Sequence, residues 1–162
     1  MIKNSKRGIT LVEIIVSSVI TVVVIGAASA MLILGMNVFN ASTKAAQQQR
    51  DVRLVETVLR ENLATALSYS FSDSKSGDVQ LFYSGDALNM IIKDKSMALD
   101  TVESIEITFE LRESVCYAKY LISTRDISQG GAVVMNNISD VSSTTLCVLN
   151  PSEDKTLNID MP

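Results

Sequence analysis

Lys6-Arg7-Gly8-Ile9-Thr10-Leu11-Val12-Glu13 is where the chain turns from basic to apolar, and no further charge appears from Ile14 through Thr43. A run of that kind exceeds the roughly 20 residues a helix needs to cross a bilayer. Residues 9–43 are therefore predicted to form a hydrophobic transmembrane helix. Glu13 is out of place in it. Even Asp, Lys or Arg at a helix centre costs about 2.5–3.5 kcal/mol in lipid, so a carboxylate there needs compensation. Lys3, Lys6 and Arg7 precede the span. The positive-inside rule keeps residues 1–8 in the cytoplasm and places the chain after about residue 44 outside.

The same run resembles the processing site of class III signal peptides, found in type IV pilins and pseudopilins. Four features coincide over roughly residues 1–40: a basic leader, a glycine, a carboxylate at fixed spacing and an uninterrupted apolar helix. The resemblance implies that a prepilin peptidase cuts between Gly8 and Ile9, removes the leader 1–8 and N-methylates Ile9. Glu13 would then be the fifth mature residue and would act in subunit assembly. Two departures stand out. The first mature residue of the family is most often Phe, whereas here it is Ile9, and the proline many pilins carry within the apolar helix is absent, Pro151 being the first in this chain.

The physics of the spacing can be followed without the family. Cleavage creates an α-amino group with a pKa near 8, mostly protonated at neutral pH. Glu13 lies four residues along, one helical turn away, and could pair with its own terminus or with that of a neighbouring subunit. In a water-poor bundle, loss of either partner leaves a charge uncompensated at a cost of roughly 3–5 kcal/mol. Family resemblance favours the intersubunit pair.

A competing reading is an ordinary secretory signal peptide. Lys3, Lys6 and Arg7 would be its basic region, Ile14 to Ile25 its core, and Ala28-Ser29-Ala30 its cleavage site. Against it, apolar sequence continues as Met31-Leu32-Ile33-Leu34-Gly35-Met36, and Glu13 has no role.

Residues 44–162 are sufficient for one core and too few for two. An amphipathic helix is predicted over 44–69, with Val52, Val55, Leu59, Leu63 and Ala66 on one face and Glu56 placed to pair with Arg60. Ser70 to Asp78 is rich in turn formers. It could in principle hold calcium, but its spacing fits no EF-hand and a solvated loop is expected.

An antiparallel sheet follows over 78–162. Val79-Leu81-Tyr83 and Leu88-Met90-Ile92 flank Gly85-Asp86 as a hairpin. Ser104 to Arg112 alternates cleanly, with Ile105, Ile107, Phe109 and Leu111 on one face. Further strands are expected at Val115 to Ser123, Ala132 to Asn136, Thr145 to Leu149 and Thr156 to Asp160, with Gly130-Gly131 as a turn. The sheet needs a cover, and the helix is the one available. The expected fold class is α+β: a long N-terminal helix packed on a C-terminal antiparallel sheet.

Cys116 and Cys147 fall in strands of an exported domain. They form either a disulfide, closing a loop of about 31 residues for about 3–4 kcal/mol, or two buried thiols. With no histidine, no Ser-His or Cys-His pair and no zinc site of the usual kind can be built. No P-loop or dinucleotide motif is present. Glu103, Glu106 and Glu110 read as solvated carboxylates. No enzyme, cofactor or metal is expected. The net charge of -4 falls to about -7 without the leader's cations, which disfavours nucleic-acid binding.

Two functional classes remain. One is a structural subunit of a type IV pilus-like filament. The other is a tethered or secreted binding domain that does not polymerise. Within the first, Arg50 to Tyr69 loosely resembles minor subunits, so a minor pilin or pseudopilin is expected. The implied partners are prepilin peptidase, other major and minor pilins and an inner-membrane assembly platform. The implied locations are the cytoplasmic membrane and then the cell surface.

Overall fold

The computed structural model describes residues 10–113, 115–138 and 145–162. Gly8 and Ile9, the expected cleavage and methylation sites, lie outside the described residues. Helix α1 spans Leu11–Thr65. Nine strands follow among the described residues: β1 (Ser68–Ser72), β2 (Val79–Ser84), β3 (Ala87–Ile92), β4 (Lys95–Leu99), β5 (Val102–Arg112), β6 (Val115–Thr124), β7 (Ser128–Met135), β8 (Thr145–Leu149) and β9 (Thr156–Asp160). The layout is α+β, one long helix followed by antiparallel sheets. There are two sheets where the sequence suggested one, with strand orders β1-β9-β2-β3-β4 and β7-β6-β5-β8.

From Lys44 onward the chain is one compact unit. Val52, Val55, Leu59 and Leu63 on α1, with Ala66 just beyond it, are buried as their spacing predicts. They share a single core with Val79, Leu81 and Leu88 of the first sheet and Ile105, Ile107, Phe109 and Ile122 of the second. Each fully buried aliphatic or aromatic side chain contributes about 1.5–3 kcal/mol, so the helix stripe is a large part of the domain's stability. Tyr69 stacks on Phe109, with ring centroids 3.8 Å apart and planes 11° from parallel, joining β1 to the second sheet.

The helix ends at Thr65 and not at Tyr69. Ala64 to Leu67 has no breaker, so local propensity would carry the helix on. Distant groups stop it: Asn136 N–H and its side-chain amide donate to the Ala64 carbonyl, Asn137 Nδ2 donates to the Thr65 carbonyl, and Leu67 N–H donates to the Asp160 carbonyl. Ser68–Ser72 is then drawn into pairing with β9, so part of the expected Ser70–Asp78 loop is strand. The rest of that segment spends polar groups on β9. Asn158, almost fully buried, accepts from Ser76 N–H and donates to the Ser74 carbonyl. Lys75 lies over the Phe82 ring, 3.6 Å from its centroid.

The β2–β3 hairpin turns at Gly85-Asp86, with Gly85 at φ +63°. The β3–β4 hairpin was not foreseen. Its turn is Lys93-Asp94, with both residues at positive φ (45° and 69°), the geometry for which Asn-Gly is the usual signal.

Gly130-Gly131 is not a turn. Both residues lie inside β7, and Gly131 faces Tyr120 across the β6–β7 ladder. A Cβ on Gly131 would overlap the Tyr120 phenol. The aromatic ring therefore lies across the glycine, the arrangement known as aromatic rescue.

Cys116 and Cys147 are both free and buried, which corrects the disulfide alternative. They sit on opposite sides of β5, Cys116 facing Leu111 and Cys147 facing Ile107. Two interstrand steps of about 4.8 Å and four residues of about 3.3 Å separate them, on the order of 16 Å. A disulfide needs Cα atoms within about 7 Å. Cys116 Sγ instead lies 3.7 Å from Met135 Sδ.

Replacing Lys93-Asp94 by Asn-Gly removes strain at two left-handed positions and should stabilise the protein by about 1 kcal/mol, read from denaturant unfolding of the full chain in detergent. Gly131→Ala should destabilise by about 1–3 kcal/mol in the same assay through overpacking against Tyr120. Wild-type stability of this variant would show that the close approach is dispensable.

Candidate functional site

The first part of α1 supplies the most unusual surface of the chain. Leu11, Val22, Met31, Val38 and Phe39 are each 69–75 % exposed, and the remaining large apolar side chains from Val12 to Met36 are exposed as well. Among the described residues this is one helix long and apolar enough to cross a membrane. Four of its hydroxyls are satisfied within the helix. Ser18 donates to the Ile15 carbonyl, Thr21 to Ser17, Ser29 to Ile25 and Thr43 to Phe39, each at 2.8 Å. Back-bonding of this kind lets polar side chains enter lipid at low cost.

Glu13 has no such solution. It sits in the first turn of α1, where Thr10 caps the helix: Glu13 N–H donates to the Thr10 carbonyl at 3.0 Å and to Thr10 Oγ1 at 3.4 Å. Thr10-Leu11-Val12-Glu13 is thus a capping-box sequence, a signal present but not noticed in the sequence reading. A carboxylate at that end also complements the helix dipole, worth about 0.3–1 kcal/mol. Among the described residues the helix starts at Leu11, directly after Thr10, whose side chain satisfies an orphan amide.

Within the folded unit, the polar groups are committed to structure. Glu56 accepts from Tyr120 Oη at 3.1 Å and Gln129 Nε2 at 2.6 Å, and makes no ion pair with Arg60 among the described residues. The expected i, i+4 pair is replaced by a tie between α1 and β6–β7. Asp51, which the sequence reading did not single out, is 1 % exposed and accepts from Thr101 Oγ1 at 2.8 Å and from the Arg50 guanidinium at 3.3 Å. Its buried neighbour Val52 was the only hint.

Glu103 and Glu106 are exposed. Glu110 is held below the usual glutamate range chiefly by its hydrogen bonds from Lys119 Nζ at 2.9 Å, with Arg112 adding to the effect. Burial pushes the Cys116 thiol up; it also raises Cys147, against a smaller opposing effect of Lys155. No three of the described Cys, Asp and Glu side chains converge as metal ligands. The residues singled out from sequence are therefore not gathered into one centre: Glu13 stands at the helix start, and the cysteines are separate core positions.

Residues 3–29 match a family model described as the prokaryotic N-terminal methylation motif. No curated protein and no solved structure matches the chain.

Thiols that are buried and raised in pKa react slowly, because the thiolate is the nucleophile. In the native full chain Cys116 and Cys147 should resist a maleimide at pH 7 for hours, and both should label within minutes once the protein is unfolded without reductant. Labelling that requires reductant would reveal a disulfide.

Proposed function

We propose that this type IV pilin-like prepilin is a structural subunit, a minor pilin or pseudopilin, of a type IV pilus-like filament. The observation that carries the reading is the uncovered apolar surface of α1 with a single carboxylate, Glu13, in its first turn. Such a surface needs lipid or other helices around it, and the two environments in succession describe a subunit that waits in the membrane and then enters a bundle.

Prepilin peptidase cuts between Gly8 and Ile9 and methylates the new Ile9 amine. In the sequence Ile9 directly precedes the capping residue Thr10. Glu13 pairs with the amine of a neighbouring subunit, since in a bundle core each charge is costly without the other. Secondary amine formation by methylation preserves the positive charge, so the pair survives modification. The unit from Lys44 onward lies outside the cytoplasmic membrane and, after assembly, at the cell surface. Other pilins and an inner-membrane assembly platform are the partners.

The continuation of α1 through Ala28-Ser29-Ala30 to Thr65 supports this reading over removal of a secretory signal peptide at residue 30. The motif match points to a structural subunit and not to an enzyme.

Intact and N-terminal mass spectrometry of the protein from its native membrane should find a chain beginning at N-methylated Ile9. A chain beginning at Met31 or Met1 would sink the proposal. Glu13→Ala should leave cleavage intact and reduce the subunit in sheared filaments at least about tenfold, the effect of one uncompensated charge. Wild-type incorporation of Glu13→Ala would remove the assigned role of the carboxylate.

A further inference from the structure

β4 is the edge strand of the first sheet, bonded to β3 on one side and to no strand on the other among the described residues. Its register pairs Met90 with Met97, Leu88 with Leu99 and Ile92 with Lys95. Met90 and Leu88 are core residues. Lys95, Met97 and Leu99 therefore point toward the helix side of the sheet, because alternate residues share a face. The core does not close there. Met97 is 47 % exposed, and an open slot of about 260 Å³ lies beside it, lined by Leu54 and Val58 of α1, Met90 and Ile92 of β3, and Lys95, Ser96 and Met97 of β4.

We propose that this edge binds an extended segment of a partner protein, added as a further antiparallel strand beside β4. Alternate aliphatic side chains of that segment enter the slot, and a carboxylate at one end meets Lys95. Two independent requirements of the site select this occupant. A free strand edge presents backbone donors and acceptors that another extended chain satisfies, which is strand-addition recognition. The slot on the same side of the sheet takes side chains at the two-residue spacing of a strand.

Lys95 supplies the selectivity. It makes no ion pair among the described residues, and its charge lies on the slot face. Pairing of β4 with β4 of a second copy, centred on Met97, would set Lys95 against Leu99 and leave the ammonium without a countercharge. The lysine therefore acts against self-association of this edge while attracting an acidic partner strand. The site is separate from Glu13 and does not depend on the filament reading.

The test uses the full chain in lipid nanodiscs and a fluorescent synthetic peptide, Thr-Leu-Thr-Val-Thr-Glu-Thr, in which Leu, Val and Glu fall opposite Leu99, Met97 and Lys95. Fluorescence anisotropy should show saturable binding at peptide concentrations up to about 1 mM. Lys95→Glu should weaken binding about tenfold, and a peptide with Lys in place of Glu should regain that factor on the variant. Met97→Lys, at an exposed position, should abolish binding while circular dichroism stays unchanged. Methylating the amides of one alternate set of peptide residues should block binding, while the other set is tolerated, because only one set faces β4. Absence of saturable binding, equal affinity for wild type and Lys95→Glu, or tolerance of both methylation sets would overturn the proposal.

Discussion

Val52, Val55, Leu59 and Leu63 form the one apolar stripe against which both sheets close. A sheet with one greasy face is unstable alone in water, and two such sheets share a core here because one helix covers both. Much of the rest follows from that cover. Tyr120 reaches across Gly131 to Glu56, and Asn136 and Asn137 accommodate the last carbonyls of the helix. The helix end, the orientation of β7 and the close glycine approach are consequences of the same packing.

The segment before Lys44 is under the opposite constraint. Its side chains are as apolar as a core, yet they lie exposed along the helix. Glu13 is the single charge among residues 10–43. A soluble protein would have little reason to retain such a surface, and a simple anchor would have little reason to retain the carboxylate. The capping role of the Thr10–Glu13 turn explains part of its presence locally. It does not supply a countercharge, which is why the proposed function looks for one outside the chain.

Strands with strict alternation were legible. β2, β3, β5, β6, β8 and β9 fall close to where the sequence placed them; β5 and β6 alternate a buried face with a more exposed one, whereas β9 is buried on both faces. β4 was not legible: four of its five residues are exposed, and its turn uses Lys93-Asp94 in a geometry that sequence reasoning associates with Asn-Gly. β1 was hidden because Ser68 and Tyr69 read as the end of the helix and Ser70 to Ser72 as loop, and only pairing with β9 makes the segment a strand. Gly130-Gly131 read as a turn for the ordinary reason that glycine favours turns; its use as space for Tyr120 is a property of the neighbouring strand. Of the assembly features, the spacing of Gly8, Ile9 and Glu13 was visible in the sequence, and the cap was visible but unread.

By itself the sequence determined the apolar span, its single carboxylate, the buried helix stripe and the alternation of most strands. These are periodic or compositional properties, carried by residues close together in the chain. The tertiary structure alone decided the number of sheets, the termination of α1 at Thr65, the separation of Cys116 from Cys147 and the burial of Asp51. It also left the slot beside β4 open. Each of these depends on which distant groups come within hydrogen-bonding or packing distance, and local periodicity carries no information about that.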